Sequence, residues 1–226
     1  MNANAIASPQ GHVAIAIDGP AASGKSTLAR ELAHRLGLIM VNSGAMYRAM
    51  TWKVLKSGVN PQDAPSVIGL LRATHFECGD DGITSTIKVD GIDPGDELRS
   101  EAVNSSVSAV SAVPEVRDRL VAMQRDYLTR ASVVMEGRDI GTVVFPDTPF
   151  KIYVDADEEV RAARRVAAGE LDAVAARDAA DSKRATAPLK VADGAVVLDT
   201  SHHTIESGVA AAIEILRGQG LKIGDL

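Results

Sequence analysis

With 226 residues, 46% of them apolar and 24% charged, the chain is long enough for one α/β domain with an insertion and has the composition of an ordinary soluble protein. The net charge of −6 argues against a nucleic-acid binder that works through its overall field. The single cysteine, Cys78, rules out an intrachain disulfide and a multi-thiolate metal site, and no run reaches the ~20 apolar residues of a membrane span. Residues 1–10 lack the basic start and long apolar stretch of a signal peptide; they read as a flexible leader, and the protein as cytoplasmic.

The apolar run at 12–18 predicts a buried strand that ends at a glycine-rich loop. Leu28, Leu32, Ala33 and Leu36 then recur at helical spacing, and Gly37 can end that helix. A second run, 38–41, predicts another strand, followed by a helix from about Ala45 to Leu55, so the start of the chain reads as a βαβ unit with parallel strands. Between Thr74 and Val89, Gly79-Asp80-Asp81-Gly82 separates two alternating runs and predicts a hairpin. A helical pattern from about Ser100 to Arg130 breaks near Pro114. Residues 60–125 therefore read as an insertion with an antiparallel piece and two helices, set into a core of residues 11–59 and 126–226. Strands return at 132–135, 150–154 and 196–199, with helices predicted at 157–168, 171–185 and 204–217. Five parallel strands with intervening helices define a doubly wound α/β sheet, whose ligands sit at the carboxyl ends of the strands.

The chemistry falls at those ends. Gly19-Pro20-Ala21-Ala22-Ser23-Gly24-Lys25-Ser26-Thr27 matches the P-loop pattern after a predicted strand and before a predicted helix. Its glycines let backbone N–H groups converge on one anion, and the helix adds its positive end. Lys25 reaches the outer phosphates, the Ser26 hydroxyl suits a magnesium ion, and Thr27 adds a possible α-phosphate contact. The loop thus predicts a phosphotransferase that uses a nucleoside triphosphate with Mg2+.

A kinase needs a second site for its acceptor, and phosphate on an acceptor calls for arginine. Arg48 follows the second strand, Arg138 ends a buried strand and Arg117 lies in the insertion. Arg177, Asp181 and Arg184 share one helix face by spacing, which fits either a substrate-facing set or a solvated ion-pair face. Arg161, Arg164 and Arg165 also fall together; they fit either a lid over the transferring phosphoryl or a solvated helix with acid at its start and base at its end.

Taken together, these pieces resemble the bacterial cytidylate kinase family over nearly the whole chain. The resemblance rests on IDGPAASGKST at 17–27, SGAMYR at 43–48, EGRDIGTVVFPD at 136–147, RAARR at 161–165 and APLKVADGAVVLDT at 187–200. The stretch DELRSEAVNSSVSAVSAVPEVR at 96–117 is similar to the enlarged nucleoside-monophosphate-binding domain of the bacterial enzymes. The resemblance implies transfer of a phosphoryl group from ATP to CMP or dCMP with magnesium, by a monomer. It implies that Ser43, Arg48 and Arg138 attend the CMP phosphate, that Ser108, Arg117, Asp139 and Arg184 read the cytosine, and that Arg177 and Asp181 reach sugar and phosphate. Glu136, at the end of its strand, is implied to order magnesium directly or through water, and Lys25, Arg161, Arg164 and Arg165 to act on the transferring group. Three features depart from the family pattern: Asn42 and Glu136 stand where aspartate is common, and only eleven residues separate Arg165 from Arg177, a short lid at about 158–176. Two other readings stay open on the residues alone: a P-loop kinase for another small acceptor, and a nucleotide-dependent regulatory module without turnover.

Overall fold

The structure is a computed structural model that describes residues 11–167 and 187–222. Five parallel strands form its main sheet: β1 (Ala14–Asp18), β2 (Ile39–Asn42), β5 (Val133–Gly137), β6 (Lys151–Asp155) and β7 (Val196–Asp199), in the order β2-β5-β1-β6-β7. All five stand where the apolar runs predict them. Alternation along each strand sorts side chains into two layers. Ile15 and Ile17 of β1, with Val134 of β5, face a core made with helices α1 (Lys25–Leu36) and α7 (Ile205–Gly218), while Ala14, Ala16, Val133 and Met135 face the other side, toward Val121 and Tyr127 of helix α5 (Pro114–Arg130). Since only 3% of residues are aromatic, aliphatic side chains carry most of this packing.

A second core lies outside the sheet. It joins Met46, Met50 and Trp52 of α2 (Ser43–Lys56) and Val67 and Leu71 of α3 (Ala64–Ala73) to Val103, Val107 and Val110 of α4 (Glu101–Ser111) and Val116 and Leu120 of α5. The hairpin of β3 (Phe76–Asp80) and β4 (Ser85–Val89) closes it with Phe76, Ile87 and Val89. Helix α3 is absent from the sequence reading. Its signal was the Asp63 cap, whose side chain accepts from the Ser66 N–H, followed by Pro65 near the helix start. The hairpin also covers the outer edge of β2: the Met40 N–H donates to the Ile83 carbonyl at 2.8 Å and the Asn42 N–H to Ser85 Oγ at 3.2 Å. Helix α6 (Glu158–Ala167) follows β6, and the helix expected at 171–185 lies outside the described residues.

Candidate active site

The carboxyl ends of β1, β2 and β5 open on a cleft of about 880 Å3. Its floor is the P-loop. Gly19 begins the loop so close to β6 that a Cβ there would lie 2.0 Å from the Val154 carbonyl oxygen, a distance no side chain tolerates. Gly24 is the N-cap of α1. Side chains cap α2, α3, α4 and α7 (Asn42, Asp63, Ser100 and Thr204), but none caps α1, and its first turn has no acidic residue. Helix α5 also lacks a side-chain cap, so what sets α1 apart is that its N-terminus, at Gly24, Lys25 and Ser26, opens on the cleft and presents the positive end of the helix there.

Around this floor the strand ends supply charge. Lys25 Nζ donates to the Pro20 carbonyl at 3.0 Å and lies 4.0 Å from Glu136 Oε2. Ser26 Oγ donates to Glu136 Oε1 at 2.9 Å, and Glu136 is buried at the end of β5. Register Asn42↔Glu136 brings the end of β2 alongside, and there Ser43 Oγ donates to the Glu136 carbonyl at 2.8 Å. A serine hydroxyl and a carboxylate side by side are hard oxygen donors, the kind magnesium takes alongside nucleotide phosphates and water.

The opposite wall holds the arginines. Arg117, only 3% exposed, ion-pairs through Nη2 with the buried Asp139 carboxylate, donates through Nη1 to the Ser111 carbonyl at 3.3 Å, and lies with its guanidinium 5.4 Å from the Tyr47 ring centre. Arg48 donates to the Leu98 carbonyl at 3.0 Å and to Asn104 Oδ1 at 2.6 Å. Arg138 reaches across to the Gly19 carbonyl at 3.4 Å. Ser43, Arg48, Ser108, Arg117, Arg138 and Asp139 therefore line the same cleft as the P-loop. Arg177, Asp181 and Arg184 lie outside the described residues.

The three arginines of α6 take different positions. Arg164 donates to Thr200 Oγ1 at 3.1 Å, to the Thr200 carbonyl at 2.8 Å and to the Ala22 carbonyl at 3.4 Å. Arg161 donates to the Ala21 carbonyl at 3.3 Å and the Ala156 carbonyl at 3.1 Å, and Arg165 is buried in the cleft wall. Thr200 itself donates to the Ser23 carbonyl at 2.7 Å, so the end of β7 joins α6 to the P-loop.

Two residues missed from sequence matter to this geometry. Thr200 is one. The other is Asp18, the last residue of β1, whose buried carboxylate accepts from the backbone N–H groups of Ile140 and Gly141, both at 2.7 Å. Its sequence signals are position, an acid at the end of an apolar strand directly before the glycine loop, and its place in the stretch 17–27 that carries the resemblance.

A parallel α/β sheet with a P-loop after β1 and a second charged wall across one cleft defines a P-loop kinase, a class in which donor and acceptor meet at the strand ends. Comparison with known proteins narrows this. The cytidylate kinase family profile matches residues 15–218. A cytidylate kinase of Corynebacterium efficiens is 45% identical over 219 residues, covering 92% of this chain and 95% of that protein. Cytidylate kinases of Streptomyces avermitilis and Geobacillus kaustophilus are each 42% identical over 215 residues, covering 90% of this chain and 92% and 96% of theirs. The chain belongs to the cytidylate kinase family.

Proposed function

We propose that the protein transfers the γ-phosphoryl group of ATP to CMP or dCMP, giving ADP and CDP or dCDP. One observation carries the reading beyond family membership: a single cleft joins the P-loop to the buried Arg117–Asp139 pair, with Ser108 on the same wall. Cytosine offers an exocyclic amino donor, which suits Asp139, and N3 and O2 acceptors, which suit arginine or serine donors. Ser43, Arg48 and Arg138 are the proposed contacts of the CMP phosphate, and Arg184, Arg177 and Asp181 complete the set for base, sugar and phosphate.

In this mechanism a CMP phosphate oxygen attacks the γ-phosphorus in line, and the β–γ bridging oxygen leaves with ADP. The attacking oxygen is already anionic, so no general base is needed. Lys25 and the P-loop N–H groups hold the donor phosphates, and Arg161, Arg164 and Arg165 offset charge as it moves. The donor set of Ser26, with Glu136 directly or through water, fits a magnesium ion, which would neutralise phosphate charge when bound. In this reading residues 60–125 close over the core of residues 11–59 and 126–226 to exclude water, with α6 as the described part of the lid placed at about 158–176, whose remainder lies outside the described residues. The proposal takes the protein as a monomer working in the cytoplasm.

A coupled assay of ADP formation with CMP, dCMP, UMP, AMP and shikimate tests the reading. The expected result is turnover that depends on CMP or dCMP. Faster use of AMP or shikimate would sink the acceptor assignment, and ATP binding without any acceptor-dependent turnover would favour a regulatory module.

A further inference from the structure

We propose that Asp18 is a positioning residue for the acceptor site: its carboxylate holds the turn that carries Arg138 and Asp139 in place over the phosphate loop. This rests on the reading of those two residues as acceptor contacts.

After β5 the chain passes through Arg138 and Asp139 into a single helical turn, Ile140–Val144. Asp139 occupies the N-cap of that turn, where an aspartate would ordinarily accept from the turn's own first N–H groups. It does not; its carboxylate is turned to Arg117. The two N–H groups are taken instead by Asp18, one by each oxygen, at 2.7 Å. Two aspartates have thus divided the work: Asp18 caps the turn from the end of β1, which leaves Asp139 available to the cleft.

The position of Asp18 makes the cap informative about both substrates. It is the residue before Gly19, and it lies in register with Gly137, one residue before Arg138. Arg138 in turn donates to the Gly19 carbonyl at 3.4 Å. The Asp18 carboxylate and the Arg138 guanidinium are therefore two side-chain links between the loop proposed for the donor and the turn proposed for the acceptor. Asp18 is 4% exposed, and a buried charge is costly where a neutral cap would serve. Gly141 is fitted to it: a Cβ there would lie 3.3 Å from Asp18 Oδ2, 3.2 Å from Lys151 Cδ and 3.3 Å from the Ala192 Cβ.

The test uses two variants that disturb the cap from opposite sides. Asp18→Asn keeps the shape but turns an amide donor toward one backbone N–H, so one bond is lost. Its KM for CMP should rise about tenfold, the scale of one hydrogen bond to a charged group. Its KM for ATP should change less than about twofold, because β1 keeps its ladder with β5 and β6. Gly141→Ala leaves the charge and crowds the cap; the CMP KM should rise in the same sense, about threefold. A merely structural aspartate would lower the melting temperature and the active fraction while leaving both KM values alone, and that result in both folded variants overturns the proposal. If Asp18→Asn fails to fold, Gly141→Ala decides. Arg138→Ala is measured alongside. A raised CMP KM there, with none in the cap variants, removes the role of Asp18 and leaves the acceptor site standing. An unchanged CMP KM in all three removes both.

Discussion

Asp18 ties the chemistry of the cleft to pH. Burial pushes its carboxyl up from an ordinary 3.8 to about 6, against the two backbone N–H groups and Lys25, which pull it down, while the charge of Asp139 adds to the rise. The charged groups that act on it are Asp139, on the turn after β5, and Lys25 on α1. A carboxyl whose folded value lies above its unfolded one contributes stability that is full below about 3.8 and lost as pH rises through about 6. Ionised Asp18 therefore costs stability at neutral pH but is the form that holds two N–H groups. Two opposed trends follow as pH falls from 7 to 5. Relative to Asp18→Asn, the wild type should gain thermal stability and lose CMP affinity. The phosphate of CMP also titrates near pH ~6, so the variant serves as the reference that subtracts it. Parallel curves for the two proteins would show that Asp18 does not titrate in this range.

Arg117 poses the matching question about a buried pair. Truncating Arg117→Ala leaves Asp139 buried without its ion-pair partner, which costs about 3–5 kcal/mol of stability. A loss of CMP use in that variant could then reflect damage to the fold alone. The double variant Arg117→Met, Asp139→Leu replaces the pair with apolar side chains, and its stability in a urea titration should recover toward the wild type. CMP-dependent ADP formation should stay lost. Recovery of both would show the pair to be structural.

At the level of elements, the strands were legible because strands buried on both faces of a parallel sheet demand short apolar runs, as in β1, β2 and β5, and because the edge strand β7 keeps such a run although Val196 and Val197 are exposed. Helix α3 was not, because ten residues containing Pro65 and Gly69 bury only Val67 and Leu71 in the core, too few to show a period. The P-loop could be read as one local string. The gathering of Ser108, Arg117, Arg138 and Asp139 on one wall could be expected only through resemblance, and the partners of Asp18 and Thr200 not at all, since they lie 122 and 177 residues away in sequence. Thr200 gives the element-scale prediction. Thr200→Val keeps the volume but removes the hydroxyl that bonds Ser23 and receives Arg164, loosening α6 from the P-loop. Stability should fall by about 1–2 kcal/mol, and the KM for ATP should rise while that for CMP stays within error. A rise in the CMP KM instead would place the effect on the wrong wall.

Across the whole molecule the two cores share their framework. Helix α5 places Val116 and Leu120 in the second core and Val121 and Tyr127 against the sheet, and α2 starts at the end of β2 but packs its apolar face into the second core. The hairpin adds backbone bonds to the edge of β2, and the Tyr127 hydroxyl donates to the Gly79 carbonyl at 2.8 Å. Such sharing predicts one cooperative unfolding transition rather than two. The single tryptophan makes this measurable, because Trp52 is buried in the second core, with its Nε1 donating to Glu97 Oε2 at 3.0 Å, and reports that core alone. Circular dichroism reports both cores. The two melting curves should coincide in the free protein. CMP should then move both together: a ligand at about 100 times its dissociation constant adds about 2.7 kcal/mol to the folded state wherever it binds, which for a chain of this size is a shift of several degrees, about 2–4 °C for each kcal/mol. A tryptophan transition that precedes the circular dichroism transition, or that alone responds to CMP, would show that the second core melts by itself and that α5 and the hairpin do not couple it to the sheet.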